Sequence, residues 1–469
     1  MVRVGSKAFT ESYVLAEVVS QVIERTGEAT VDRKFGMGAT GILAEAVRSG
    51  AIDIYPEYSG TIAETILHDT SARELREIRE RLGPRGLTIG RPLGFNNTYA
   101  IGVTESVARR ERLRTVSDLA HSPRLRFGVS YEFLNRPDGF KPMEQAYGLN
   151  LGDVRPMEHS LAYEALAHGE LDAIDVYSTD AKIEKYGLRL LADDRQFFPK
   201  YYAVLLVRGD FARRFPRSWA ALQSRLGDAI SDVEMRKLNV QADLEKKNFR
   251  AIAADFLNLP NATPTGEMSD FAVRLRQHLG LVFGALLPAI AVGVPLGILA
   301  SRRRFLAKAV LSMSGIVQTV PSLALLCFLI PIFGVGNPPA LFALFLYALL
   351  PIVSGTFLGL STIDIGVLDS ETALGLGTLE RLRYVELPLA MPSILSGIRT
   401  SAIVSIGTAT LAALIGAGGF GVPIVMGLAL NDIPTILQGA IPAALLALIA
   451  SWVFDLLGRH VIRGPKRAR

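Results

Sequence analysis

The segment ETALGLGTLERLRYVELP, residues 371–388, is charged and rich in glycine, yet almost wholly apolar chain flanks it on both sides. Apolar runs of about 18 or more residues are long enough to cross a bilayer as helices. Five runs meet that length: 279–300, 311–333, 339–360, 395–415 and 433–457. Pro288, Pro295, Pro321, Pro351 and Pro442 lie inside them. Such prolines break helices in water, whereas a bundle in lipid re-satisfies the freed backbone groups from neighbouring helices. The expectation is an all-α, five-span membrane region, with residues 371–388 in its largest loop.

The loops carry the orientation. Arg302, Arg303, Arg304 and Lys308 follow the first run, and Arg381 and Arg383 lie between the third and fourth. Arg459, Arg463, Lys466, Arg467 and Arg469 follow the fifth, while GVGNPP (334–339) and GAGGFGVP (416–423) contain no Lys or Arg. Cytoplasmic loops collect basic residues. The basic loops and the C-terminus are therefore expected in the cytoplasm, and residues 1–270 outside it.

Upstream the periodicity changes. MVRVGSKAF (1–9) reads as a strand, and TESYVLAEVVSQVIERTG (10–27) as a helix stopped by Gly27. ATVDRKFG (29–36) is a second strand, GATGILAEAVRSGAID (38–53) a second helix, and RLRFGVS (124–130) and AIDVYS (173–178) are further strands. This alternation is that of a three-layer α/β domain. FNNTYAIGV (95–103) and YYAVLLVRG (201–209) read as two crossings between lobes. One lobe is expected at about 1–97 and 204–256, the other at about 98–203, forming a two-lobed domain over residues 1–257. Residues 258–270 have linker composition, 271–462 form the membrane domain, and 463–469 a basic tail.

Composition restricts the function classes. The 469 residues carry 50 Lys and Arg against 45 Asp and Glu, and the surplus gathers beside apolar runs, which points to membrane flanks and not to nucleic acid. The single cysteine, Cys327, excludes an intrachain disulfide and a thiolate metal cluster. The six histidines show no HExxH spacing, so neither metal nor cofactor is expected. No GxxxxGK[ST] stretch occurs, so nothing in the chain cradles nucleotide phosphates in the P-loop manner. Gly416, Gly418 and Gly421 match GxGxxG, but they follow a membrane run and read as a turn. No nucleophile–base pair points to an enzyme.

VGSKAFTES (4–12), GAIDIYPEYSGT (50–61), FNNTYAIGV, NRPDGFKP (135–142) and VYSTDAKI (176–183) resemble the substrate-binding proteins of osmoprotectant ABC importers, which carry glycine betaine, choline or carnitine. HLGLVFGALLPAIAVGVPLGILASRRR (278–304), IVQTVPSLALL (316–326) and IGTATLAALIGAGGFG (406–421) resemble the permease subunit of the same importers. The resemblance covers nearly the whole chain. It implies a periplasmic-binding-protein-like domain fused ahead of a permease in the bacterial cytoplasmic membrane. It also implies an ABC ATPase in trans, a permease homodimer, and contact with membrane lipid. In residues 371–388, Glu371, Thr372, Ala373, Gly377, Leu387 and Pro388 match the permease family's loop that docks on the ATPase, with Thr372 standing where the family has alanine.

A quaternary ammonium head donates no hydrogen bond, so aromatic faces must hold it, at about 0.5–2 kcal/mol per contact. Tyr58, Tyr99, Tyr177 and Tyr202 are the expected cage, and Tyr55, Tyr131 and Tyr201 lie in or near the same segments. By resemblance Thr61 lines the cavity. Arg136 is of the type that pairs bidentately with a carboxylate. Ser6, Lys7 and Thr10 lie where the first helix N-terminus favours an anion. Two other readings stand beside this one: import of another small zwitterion such as ergothioneine, and a ligand-sensing membrane receptor. Because the chain begins at its first strand, an upstream leader or span is expected to have preceded it.

Overall fold

The computed structural model describes residues 1–69, 74–136, 139–259, 267–430 and 432–461. The chain divides into two compact units, one essentially residues 1–263 and the other residues 264–469.

The first unit holds two five-stranded sheets. Strands β1 (Val2–Lys7), β2 (Val31–Met37), β3 (Ile54–Tyr58), β4 (Leu87–Ile89) and β10 (Ala203–Arg208) form one, in the order β2-β1-β3-β10-β4. Strands β5 (Tyr99–Thr104), β6 (Arg126–Ser130), β7 (Asp153–Met157), β8 (Ala173–Tyr177) and β9 (Leu188–Leu190) form the other, in the order β7-β6-β8-β5-β9. In each sheet the βα-linked strands pair parallel, and the strand nearest a connection between the sheets pairs antiparallel. Helix Thr10–Arg25 is buried along most of its length. It packs its valines on β1 and β3 and on helices Asp232–Asp243 and Phe249–Phe256, whose apolar faces complete that core.

The two connections run side by side. Asn97 donates its backbone N–H to Tyr201 O at 3.1 Å, and Thr98 Oγ1 donates to Pro199 O at 2.9 Å. Asn96 and Tyr202 pair as an isolated antiparallel bridge. A pair of adjacent connections gives two sheets one shared flexure, the arrangement on which hinge motion turns.

The second unit is helical. Four helices among the described residues are long and apolar enough to cross a membrane: Asp270–Arg302, Asn337–Ser361, Thr378–Ile415 and Ile433–Arg459. The expected span at 311–333 is not one helix, which corrects the reading of five continuous spans. It divides into Arg304–Thr319 and Ser322–Phe333, of 16 and 12 residues. Pro321 lacks an N–H and stands extended with ψ 133°, so the hydrogen-bond ladder stops there. The Tyr347 hydroxyl donates to the freed carbonyl of Val320, and Gln318 Nε2 donates to Tyr347 O at 3.0 Å. Each half is shorter than the roughly 20 residues a bilayer requires.

Packing among the long helices depends on small residues. A methyl group placed on Gly397 would lie 2.3 Å from the Pro351 carbonyl oxygen, so any side chain there would push helices Asn337–Ser361 and Leu387–Ala409 apart. The expected linker is shorter than its composition indicates, because helix Glu267–Arg302 has already begun by residue 267. Residues 260–266 of that linker and the basic tail at 463–469 lie outside the described residues.

Candidate functional site

Tyr99 and Tyr177 are direct cross-strand partners in the antiparallel β5–β8 pair. Side chains opposite one another in such a pair share one face of the sheet. Their ring centroids are 5.0 Å apart, and their hydroxyls 3.4 Å. Phe133 stacks on Tyr99 at 4.8 Å. His159 lies 4.8 Å from the Tyr177 ring. Burial alone would pull His159 down, but its contacts with Asp175 and Asp180 raise it to about 10, so the imidazole is a cation at neutral pH.

Arg136 reaches this pair from the end of the short helix Tyr131–Asn135. Its guanidinium lies 5.5 Å from the Tyr99 ring centroid and 5.6 Å from that of Tyr201, so one cation contacts rings from both sides of the cleft. It donates to the Glu64 carboxylate and to the Tyr201 hydroxyl. The Tyr201 hydroxyl also donates to Glu64 Oε1 at 3.3 Å. Glu132 Oε1 lies 3.7 Å from Arg136, and Glu132 Oε2 accepts from the Tyr177 hydroxyl at 3.1 Å.

Tyr58 ends β3 and makes no ring contact with that group among the described residues. Its hydroxyl donates to Glu11 at 2.5 Å, and the Lys7 ammonium lies 5.6 Å from its ring. Lys7 is itself paired with Glu57 at 2.5 Å. The Glu11 carboxylate also accepts from Asn97 at 2.9 Å, Thr179 at 2.6 Å and Asn239 at 3.0 Å. Burial raises the Glu11 carboxyl above its ordinary range, against these four hydrogen bonds. Glu11 thus ties β3, the segment after β8, one connection and a C-terminal helix together. Thr61 closes the one-turn helix Ser59–Thr61 that follows Tyr58 and is half-buried.

The structure separates the two tyrosines at the second connection. Tyr201 is buried and faces Arg136, while the Tyr202 ring lies beside Lys200 at 5.9 Å. Successive side chains in extended chain point to opposite faces. Gly60 makes room for Tyr201: a methyl group on it would lie 2.3 Å from the Tyr201 ring. Sequence reasoning missed Glu64, Glu132, Glu11, Phe133 and His159. Glu64 carried a usable signal, since it stands three residues after Thr61, about one helical turn on. Glu132 carried a similar one, standing four residues before Arg136.

In the second unit, helix Ile365–Ala373 leads to Gly377, whose N–H donates to Glu380 Oε2 at 2.8 Å and starts the turn Thr378–Arg381. Arg381 Nε donates to Leu376 O at 2.8 Å. The side chains of Glu371 and Thr372 lie outside the described residues. Leu374, Leu379 and Tyr384 are 77%, 75% and 65% exposed, a bare apolar rim on a short hydrogen-bonded segment. Leu387 packs against Leu360, Ala390 and Ile394, and Pro388 lies in the first turn of the next helix. Glu386, just before them, is buried and paired with Arg302 from the end of the first long helix, Arg302 Nη1 donating to Glu386 Oε1 at 3.1 Å.

Two α/β lobes with an aromatic cleft, followed in one chain by apolar helices, define a ligand-binding unit joined to a membrane component. Residues 1–259 match the family of substrate-binding domains of ABC-type glycine betaine transport systems, and the chain belongs to that family. Residues 293–466 match the binding-protein-dependent transport system inner membrane component, so a permease domain is fused behind the binding domain.

Among similar curated proteins is the ergothioneine transport permease/ergothioneine binding protein EgtU of Helicobacter pylori (strain G27). It is 33% identical over 260 residues, 54% of this chain and 46% of that protein. The chain therefore spans about half the length of that relative. The glycine-betaine-binding protein of Pseudomonas aeruginosa is 34% identical over 273 residues, 54% of this chain and 86% of that protein. The glycine betaine/carnitine/choline permease OpuCB of Bacillus subtilis (strain 168) is 44% identical over 185 residues, 39% of this chain and 85% of that protein. A crystal structure of a glycine betaine/carnitine/choline ABC transporter has a TM-score of 0.51 at 32% identity, covering 55% of this chain and 98% of its own.

Proposed function

We propose that the chain is the fused receptor and permease of an ABC importer for a quaternary-ammonium osmoprotectant such as glycine betaine, choline or carnitine. One observation carries the reading: a cation, the Arg136 guanidinium, lies against the rings of Tyr99 and Tyr201 in a domain of the glycine betaine transport family. Ring faces that hold a guanidinium have the electrostatics to hold a trimethylammonium head. Tyr58, Tyr99, Tyr177, Thr61 and Arg136 form the ligand site in this reading, with Tyr201 in the place first given to Tyr202.

The permease domain acts as a homodimer in the cytoplasmic membrane, surrounded by lipid, with residues 1–270 outside and the C-terminus inside. Counting the helices broken at Pro321 as one crossing keeps the basic loops on one side, as the positive-inside rule requires. A separate ATPase docks on the segment from Glu371, Thr372 and Ala373 through Gly377 to Leu387 and Pro388, and its hydrolysis drives transport. The exposed Leu374, Leu379 and Tyr384 supply the apolar contact surface. The test is uptake of labelled choline or glycine betaine by cells carrying the chain with its ATPase. Uptake should vanish when the ATPase is omitted.

A second reading, import of ergothioneine, is favoured by the 33% identity to the Helicobacter protein. Ergothioneine also carries a trimethylammonium group and a carboxylate, so the same cage serves it. Competition between ergothioneine and glycine betaine in the uptake assay separates the two.

A further inference from the structure

Arg136 occupies the ring faces that a ligand's cationic head needs. Its guanidinium is within about 6 Å of two ring centroids, the range of cation–π attraction. Two cations cannot share those faces, because unit charges about 4 Å apart repel by roughly 4 kcal/mol at a protein surface. Glu64 holds the guanidinium in place, and the two side chains are each only 15% exposed. The contact joins residues 72 apart in sequence and on opposite sides of the cleft. Tyr201 donates to the same carboxylate, so Glu64, Arg136 and Tyr201 form a closed triangle.

We propose that Arg136 is the resident cation of the cage, and that Glu64, by holding it, sets the preference between quaternary-ammonium ligands with and without a carboxylate. The inference rests on the quaternary-ammonium reading given above. On binding, the ligand's head replaces the guanidinium over Tyr99 and Tyr201. A ligand without a carboxylate leaves Arg136 paired with Glu64. A ligand with one competes with Glu64 for Arg136, exchanging one carboxylate for another and placing two like charges side by side. Glu64 therefore disfavours zwitterions relative to simple cations. Glu132, 61% exposed and 3.7 Å away, is screened by water and contributes less.

The experiment is calorimetric titration of the full-length chain in detergent with choline and with glycine betaine, for wild type, Glu64→Gln and Glu132→Gln. Glu64→Gln should move the ratio of the two dissociation constants about tenfold toward glycine betaine, the scale of one charge-assisted contact. Glu132→Gln should move it by less than about threefold. An unchanged ratio in Glu64→Gln, or no gain of glycine betaine binding where wild type binds choline alone, overturns the inference and leaves the functional reading standing. If wild type binds neither ligand, nor carnitine or ergothioneine, the functional reading falls and the inference with it. Glu64→Asp guards against misfolding: it keeps the charge and should hold the ratio within about threefold of wild type, so a tenfold move there also overturns the proposal.

Discussion

Tyr99 and Tyr177 face each other across a single rung of the antiparallel β5–β8 pair, with ring centroids 5.0 Å apart. The sheet register, and not loop conformation, fixes their spacing. A site built on strands holds its geometry more tightly than one on loops.

The cage is tested at that rung. Changing Tyr99 or Tyr177 to Ala should weaken a quaternary-ammonium ligand by about 1–3 kcal/mol, and changing either to Phe should cost less. Calorimetric affinities for the full chain decide the matter. Phe as damaging as Ala would mean that the hydroxyls, and not the ring faces, hold the ligand.

Glu11 gives a stability prediction. Its two oxygens accept from Tyr58, Asn97, Thr179 and Asn239. A glutamine there has one acceptor oxygen and turns an NH2 group toward donors. Glu11→Gln should destabilise the binding unit by about 2–4 kcal/mol and also weaken ligand binding, since Tyr58 loses its anchor. Thermal unfolding with and without ligand provides the measurement. A variant that melts with wild type would remove Glu11 from the account.

His159 gives a pH dependence. Its folded value of about 10 lies above the ordinary imidazole value, so its charge stabilises the folded form. That contribution is complete below about pH 6.5 and declines as pH rises through about 10. The melting difference between wild type and His159→Gln should shrink across that window. A difference that stays constant from pH 6.5 to 10 would show that His159 is not held charged by Asp175 and Asp180.

The proposed ATPase-docking role of residues 371–388 is tested by separating binding from transport. A side chain on Gly377 begins 3.3 Å from Glu380 Oε2, so Gly377→Asp sets like charges together at the turn that Glu380 caps. Gly377→Asp and Glu371→Lys should leave ligand affinity unchanged and stop uptake in cells carrying the ATPase. Normal uptake by both variants would reduce the segment to a connector.

The lobes and apolar helices were legible in the sequence because both rest on local periodicity. The break at Pro321 was half legible: the proline was visible, but its consequence depended on Tyr347, which takes up the Val320 carbonyl. That Tyr99 and Tyr177 stand at strand ends was legible from their segments. Which of Tyr201 and Tyr202 lies against Arg136 was not, since a shift of one residue exchanges the two faces of extended chain. Glu64 was hidden as a partner of Arg136 because the contact exists only once both sheets are in place.

The central claim is that the tyrosine cleft binds a quaternary ammonium ion. Its most direct test is calorimetric titration of the full-length chain with choline, glycine betaine, carnitine and ergothioneine, and with proline and arginine as ligands lacking a methylated nitrogen. The account predicts saturable binding of at least one quaternary ammonium compound, one per chain, greatly weakened in Tyr99→Ala. Binding of proline or arginine alone, or quaternary-ammonium binding unaffected by Tyr99→Ala, would contradict it.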